Sequence, residues 1–126
     1  MNKSHKLSKE KRLSIEQYLS SKHLRVAPDG SPIAPIDRSL SQLNLEREIF
    51  VRIDLITMAP LILKSSDLII TLPSKTAQRM ANNYGFIIAD LPIELEKRKT
   101  KLIWHNELSS HPSFDWIKKQ IKVDLC

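Results

Sequence analysis

Apolar positions along this chain change period several times, between the alternation of a strand and the three-to-four spacing of a helix. The clearest case runs from Asp67 to Leu72. It is almost wholly apolar, stops on Pro73 and passes into Ser74–Tyr84, which reads as a helix closed by Gly85. A short run without alternation is expected of a strand covered on both faces. Upstream, Ser14-Ile15-Glu16-Gln17 has the Ser-x-x-Gln form of a capping box and predicts a short helix through Leu19. His23–Ala27 reads as a strand, and Pro28-Asp29-Gly30-Ser31-Pro32 as a turn. Pro35 suits a first helical turn, and Ile36, Leu40 and Leu43 would give that helix one buried stripe. Glu48–Ile53 reads as a strand with Ile49, Val51 and Ile53 on one face and Phe50 on the other. Thr57 is placed to cap a helix that carries Pro60, Leu61 and Ile62, and Ser74 to cap the helix that ends at Tyr84.

The remainder repeats the alternation. Phe86–Leu91 predicts a strand ended by Pro92, Ile93–Lys99 a charged connector, and Lys101–Asn106 a last strand. Ser110 would cap a final helix with Phe114, Ile117 and Ile121 on one face. Met1–Arg12 has no apolar period and reads as a basic, disordered tail. Strands separated by helices imply right-handed crossovers, hence an α/β fold with a mainly parallel sheet and helices on both faces.

Composition narrows the function classes. A chain of 126 residues with 41% hydrophobic side chains can form one modest domain. Two glycines argue against a glycine-rich phosphate loop, and the single Cys126 excludes an internal disulfide and fits a reducing cytoplasm. No apolar run reaches the ~20 residues of a membrane helix, so a soluble, cytoplasmic protein is expected. His5, His23, His105 and His111 share no metal-ligand spacing, and no Gly-x-Ser-x-Gly elbow is present. No catalytic residue, metal or cofactor is therefore assigned, and the chain is read as not an enzyme. The formal charge of +6 is concentrated at one end: residues 1–25 carry seven basic and two acidic side chains. Such a tail can contact nucleic acid without sequence preference, although no aromatic precedes Tyr18 to stack on bases.

Two segments carry a resemblance. Ser66-Asp67-Leu68-Ile69-Ile70-Thr71-Leu72-Pro73 has the form S-D-L-I-x-T-L-P. Leu102-Ile103-Trp104-His105, followed by Pro112 and Trp116-Ile117, has the form L-x-W-H … P-x-x-x-W-[LI]. In this order they resemble the C-terminal part of the effector-binding domain of bacterial LysR-type transcriptional regulators. His111 and Asp115 depart from the family's usual residues at those positions. The resemblance implies a periplasmic-binding-protein-like (type 2) arrangement of two lobes with a small-molecule effector between them. On that plan residues 13–92 would be the second lobe, and 93–126 a return crossover, strand and C-terminal helix of the first. It further implies dimers, either of this chain or mixed with a full-length regulator. DNA contact would come only through a winged helix-turn-helix upstream of Met1. The chain is thus expected to be truncated, and Trp104 and Phe114 to lack their proper partners.

In open α/β lobes ligands bind at the carboxyl ends of strands. The polar side chains best placed there are Ser31, Asp54, Thr57 and Thr71. Each has an ordinary explanation as well: a turn residue for Ser31, a solvated turn for Asp54 and a helix cap for Thr57. The alternative to an effector-sensing domain is a free-standing basic module that contacts nucleic acid or a protein partner through its N-terminal tail.

Overall fold

The structure is a computed structural model that describes residues 1–95 and 101–125. The chain divides into two compact units, Met1–Leu95 and Glu96–Cys126. Among the described residues no helix is long and apolar enough to cross a membrane.

In the first unit α1 (Ile15–Leu19) starts on the expected capping box: Ser14 Oγ accepts from Gln17 N, and Gln17 Oε1 accepts from Ser14 N. The elements that follow are β1 (Lys22–Val26), α2 (Pro35–Gln42), β2 (Glu48–Ile53), α3 (Ala59–Lys64), β3 (Ile69–Ile70) and α4 (Ser74–Tyr84). The three strands are parallel, in the order β2-β1-β3. A bulge sets His23 opposite Ile49 but Leu24 opposite Val51. Leu24 and Ile53 join Ala59 and Leu63 of α3 and Ala81 of α4 in one apolar cluster. Ile69 instead joins Tyr18 of α1 and Ile36 and Leu40 of α2 in another. Helices therefore cover both faces of the sheet, as the α/β reading requires. Gly85 ends α4 in the left-handed region, at φ +72°, where a side chain is disfavoured.

Several local expectations change. Leu43 is exposed because α2 stops at Gln42. Thr57 lies inside a 3-10 turn, Ile56–Met58, and caps nothing. Ser74 is the first residue of α4, whose N-cap is Pro73. Met1–Arg12 is not a loose tail. Met1 and Leu7 pack on the Leu13–Tyr18 cluster, and His5 is buried. Met1 N donates to Ile87 O at 3.1 Å, Ile87 N to Met1 O at 2.9 Å, and Asp90 N to Lys11 O at 2.8 Å. Those bonds occupy part of the segment expected as the strand Phe86–Leu91, which forms only a one-residue parallel bridge, Arg12 to Asp90. Ile93 and Leu95, expected with the returning segment, pack against the cluster around Leu13 and Tyr18.

In the second unit the expected strand Lys101–Asn106 does not form: residues 101–105 are irregular, followed by a 3-10 turn, Asn106–Ser110. Among the described residues of this unit no strand lies beside it, and a lone strand has nothing with which to form its ladder. Helix α5 (Pro112–Leu125) follows. The Trp104 and Phe114 rings pack at an inclination of 53°, 5.4 Å between centroids, with Lys118 Nζ over both and Trp104 Nε1 donating to Ser109 Oγ at 3.0 Å. Up to Ile121 the half-buried positions of α5 are Phe114, Lys118 and Ile121, so Lys118 takes the place expected of Ile117.

Candidate functional site

Parallel register brings the carboxyl ends of all three strands to one edge of the sheet, since Val26 lies opposite Ile53 and Leu24 opposite Ile70. The loops that carry the predicted residues leave from that edge. Ser31 sits in a turn where its N–H donates to Asp29 Oδ1 at 3.0 Å and its hydroxyl to Ile33 O at 3.4 Å. The turn is held from inside by Arg25, whose guanidinium donates to the carbonyls of Ser31 and Pro32. Arg25 is buried, and its Nε has no partner among the described residues. Asp54 and Thr57 are exposed. Among the described residues no hydrogen bond joins the side chains of Ser31, Asp54, Thr57 and Thr71 to one another. Only Thr71 is tied to a wider network.

That network was not visible in the sequence. Arg47, 3% exposed at its side chain, forms a two-bond pair with Asp37: Nε to Oδ1 at 2.5 Å and Nη2 to Oδ2 at 3.1 Å. Its Nη1 donates to the Tyr18 hydroxyl at 3.1 Å and lies 3.3 Å from His23 Nδ1 and 3.5 Å from Thr71 Oγ1. His23 Nε2 lies 2.8 Å from Tyr18 O. A carbonyl only accepts and a guanidinium only donates. His23 is therefore the neutral Nε2–H tautomer with Nδ1 bare. Burial agrees, pushing its pKa down to about 4 despite the carbonyl partner. Burial also raises the Tyr18 phenol above its ordinary value.

The same inventory orients the hydroxyls. Tyr18 Oη and Thr71 Oγ1 are 2.7 Å apart. If Thr71 donated, the Tyr18 hydrogen would be stranded in a fully buried group. Tyr18, which already accepts from Arg47, therefore donates to Thr71. The Thr71 hydroxyl hydrogen is left over, on a half-buried residue at the sheet's carboxyl edge. Chemically the site offers a hydrogen-bond donor at Thr71, a carboxylate at Asp54 and hydroxyls at Ser31 and Thr57. His23 and Arg25, two apart on β1 with both side chains buried, were the one local signal of a polar interior.

Beside Thr71 lies a cavity of about 520 Å³, bounded by β3 on one side and Phe86–Leu91 on the other. Its lining mixes apolar side chains with the polar Tyr18, Thr71 and Gln78 and the charged Arg12, Asp90 and Glu94.

Comparison with known proteins gives a consistent picture. The HTH-type transcriptional regulator SyrM 1 of Sinorhizobium fredii is 27% identical over 108 residues, 85% of this chain and 32% of its own. The HTH-type transcriptional activator NahR of Pseudomonas putida is 24% identical over 123 residues, 98% of this chain and 40% of its own. The chain thus spans about a third of the length of the curated relatives it matches. Among solved structures, the regulatory domain of MexT, a transcriptional activator in Pseudomonas aeruginosa, superposes with a TM-score of 0.73 at 20% identity, over 89% of this chain and 56% of that one. No family model matches.

Proposed function

We propose, starting from the chain's homology to the C-terminal regulatory domain of LysR-type transcriptional regulators, that it is an effector-sensing element which binds a small metabolite and takes part in transcription control. The fold is that of such regulatory domains, periplasmic-binding-protein-like. The observation that carries the reading is extent: the relatives that match over most of the chain are transcriptional regulators. The metabolite is assigned to the carboxyl edge of the sheet, with Thr71 donating to it and Ser31, Asp54 and Thr57 as further contacts. Strand ends and helix starts meet there. The first unit supplies one wall of such a site, and partners are a small molecule and a second regulatory domain, in this chain's own dimer or a mixed one.

The rival reading, a basic module acting through its tail, has less support. Met1–Arg12 is bonded along its backbone to Ile87 and Asp90 rather than free to reach a partner.

An amide-resolved NMR screen against small aliphatic and aromatic carboxylates tests the reading. The expected result is a set of shifts grouped at Ser31, Asp54, Thr57 and Thr71, weakened at least tenfold by Thr71→Val. A screen in which no carboxylate moves these amides, or in which Thr71→Val binds like the parent, would overturn it. Sedimentation of the chain alone and mixed with a full-length relative tests the dimer.

A further inference from the structure

His5 is a buried titratable group that the proposed site does not use. Its segment is tied down on both sides of it. Ahead of it, Met1 exchanges backbone bonds with Ile87, and Asn2 Nδ2 donates to Lys64 O at 2.9 Å. Behind it, Leu7 packs on the cluster around Leu13 and Tyr18, and Lys11 O accepts from Asp90 N at 2.8 Å. Met1–Lys11 forms no helix or strand, so its docking rests on a few such contacts.

The ring is one of those contacts. Leu7 N donates to His5 Nδ1 at 3.1 Å, the same i to i+2 bond that Asp and Asn side chains make in turns. A backbone N–H only donates, so Nδ1 carries no hydrogen and the docked ring is the neutral Nε2–H tautomer. A proton added at Nδ1 would face the Leu7 N–H with a second donor and leave a charge where the ring is withdrawn from water. Burial accordingly lowers the ring's pKa below its ordinary 6.5. The Asp67 carbonyl and carboxylate favour the charged ring, and the Met1 ammonium and Lys6 oppose it. Lys64, at the end of α3, is the other charged side chain on the cavity of about 490 Å³ that His5 lines with Lys6 and Asp67. That cavity gives protons a way to the imidazole without global unfolding.

We propose that His5 is a proton-operated latch: the neutral ring holds Met1–Arg12 against the rest of the first unit, and the protonated ring releases it. The docked ring binds a proton less readily than the free one. Docking is therefore complete above about pH 6.5 and weakens as pH falls, by up to about tenfold per pH unit, until the docked ring itself titrates. The latch is independent of where an effector binds.

Hydrogen exchange of the full chain tests it at the amides of Ile87 and Asp90, which donate to Met1 O and Lys11 O. Corrected for the intrinsic rate, exchange at both is expected to speed up at least about tenfold between about pH 7.5 and about pH 5.5. His5→Asn keeps an acceptor for Leu7 N and does not titrate, so it is expected to hold the segment and lose that acceleration. His23 is present in both chains and cancels in the comparison. A corrected rate that does not change in the parent, or an equal acceleration in His5→Asn, overturns the proposal. If His5→Asn does not dock at about pH 7.5, the parent's ring decides by NMR. A His5 Cε1–Hε1 resonance that titrates at 6.5 or above while Ile87 stays protected overturns the latch, and one that titrates lower, in step with the loss of protection, upholds it.

Discussion

Replacing Asp37 by alanine isolates the interaction on which the first unit's polar interior depends. Arg47 is buried to 3% side-chain exposure, and Asp37 retains 23%. In the parent protein two charge-assisted bonds join them. The substitution leaves a guanidinium in the interior with neutral acceptors alone, the Tyr18 and Thr71 hydroxyls and His23 Nδ1. Breaking a buried pair on one side costs about 3–5 kcal/mol, and the partial exposure of Asp37 puts the expected loss near the lower end, about 3 kcal/mol. Against a typical total of about 5–15 kcal/mol, that is a large fraction. Urea unfolding followed by far-UV circular dichroism measures it. The double substitution Asp37→Ala with Arg47→Met removes the stranded charge and should recover more than half of the loss. A cost below about 0.5 kcal/mol for Asp37→Ala, or a double variant worse than the single, would refute the account of a buried, mutually dependent pair.

His23 gives a pH signature. Its folded pKa of about 4 is below the ordinary His value of 6.5, so the unfolded chain binds a proton first as pH falls. Stability should be fully present above about pH 6.5 and decline towards pH 4 by up to about 1.4 kcal/mol per pH unit. His23→Gln should remove that slope in urea titrations run across the window, and parallel profiles would count against it. Gly85→Ala should cost about 1–2 kcal/mol by chemical denaturation, from its φ of +72° alone, since the nearest contact for an added Cβ is an ordinary 3.5 Å to the flexible end of Lys3. Leu63→Ala, at a fully buried position in α3, should cost about 2–5 kcal/mol, while Leu43→Ala should stay within about 0.5 kcal/mol. Equal costs for the two leucines would contradict the burial assigned to them.

What the sequence allowed to be read follows from the range of each interaction. The capping box at Ser14, the strand Glu48–Ile53, the stop at Gly85 and the stripe on α2 depend on residues within a few positions of one another. They appear as expected, save that the stripe keeps Ile36 and Leu40 and loses Leu43. The failures need distant partners. Phe86–Leu91 and Lys101–Asn106 both have strand-like composition, yet a strand exists only where a neighbouring edge completes its ladder. Met1–Arg12 carries no apolar period, and its order comes from backbone bonds to residues some eighty positions away, a kind of contact that leaves no local pattern. The Asp37–Arg47 pair spans a helix end and a loop, ten residues apart, with no periodicity to announce it.

Thr71 shows why strand ends could be read while the chemistry at them could not. Its place followed from a run of apolar residues that stops at Pro73, so a polar side chain at the sheet's carboxyl edge was legible. Its hydrogen-bonding role depends on Arg47, which must donate, and on Tyr18, whose burial forces its hydrogen onto Thr71. Neither is near Thr71 in the chain. The consequence is chemical: the surplus hydrogen makes Thr71 a donor, so a ligand at the proposed site would be one that accepts, and it would polarise the Tyr18–Thr71 bond in turn. Thr71 also lines the cavity between β3 and Phe86–Leu91. A ligand that accepted from Thr71 at the proposed site would be sensed by one hydroxyl, held through Tyr18 and Arg47 to Asp37 on α2.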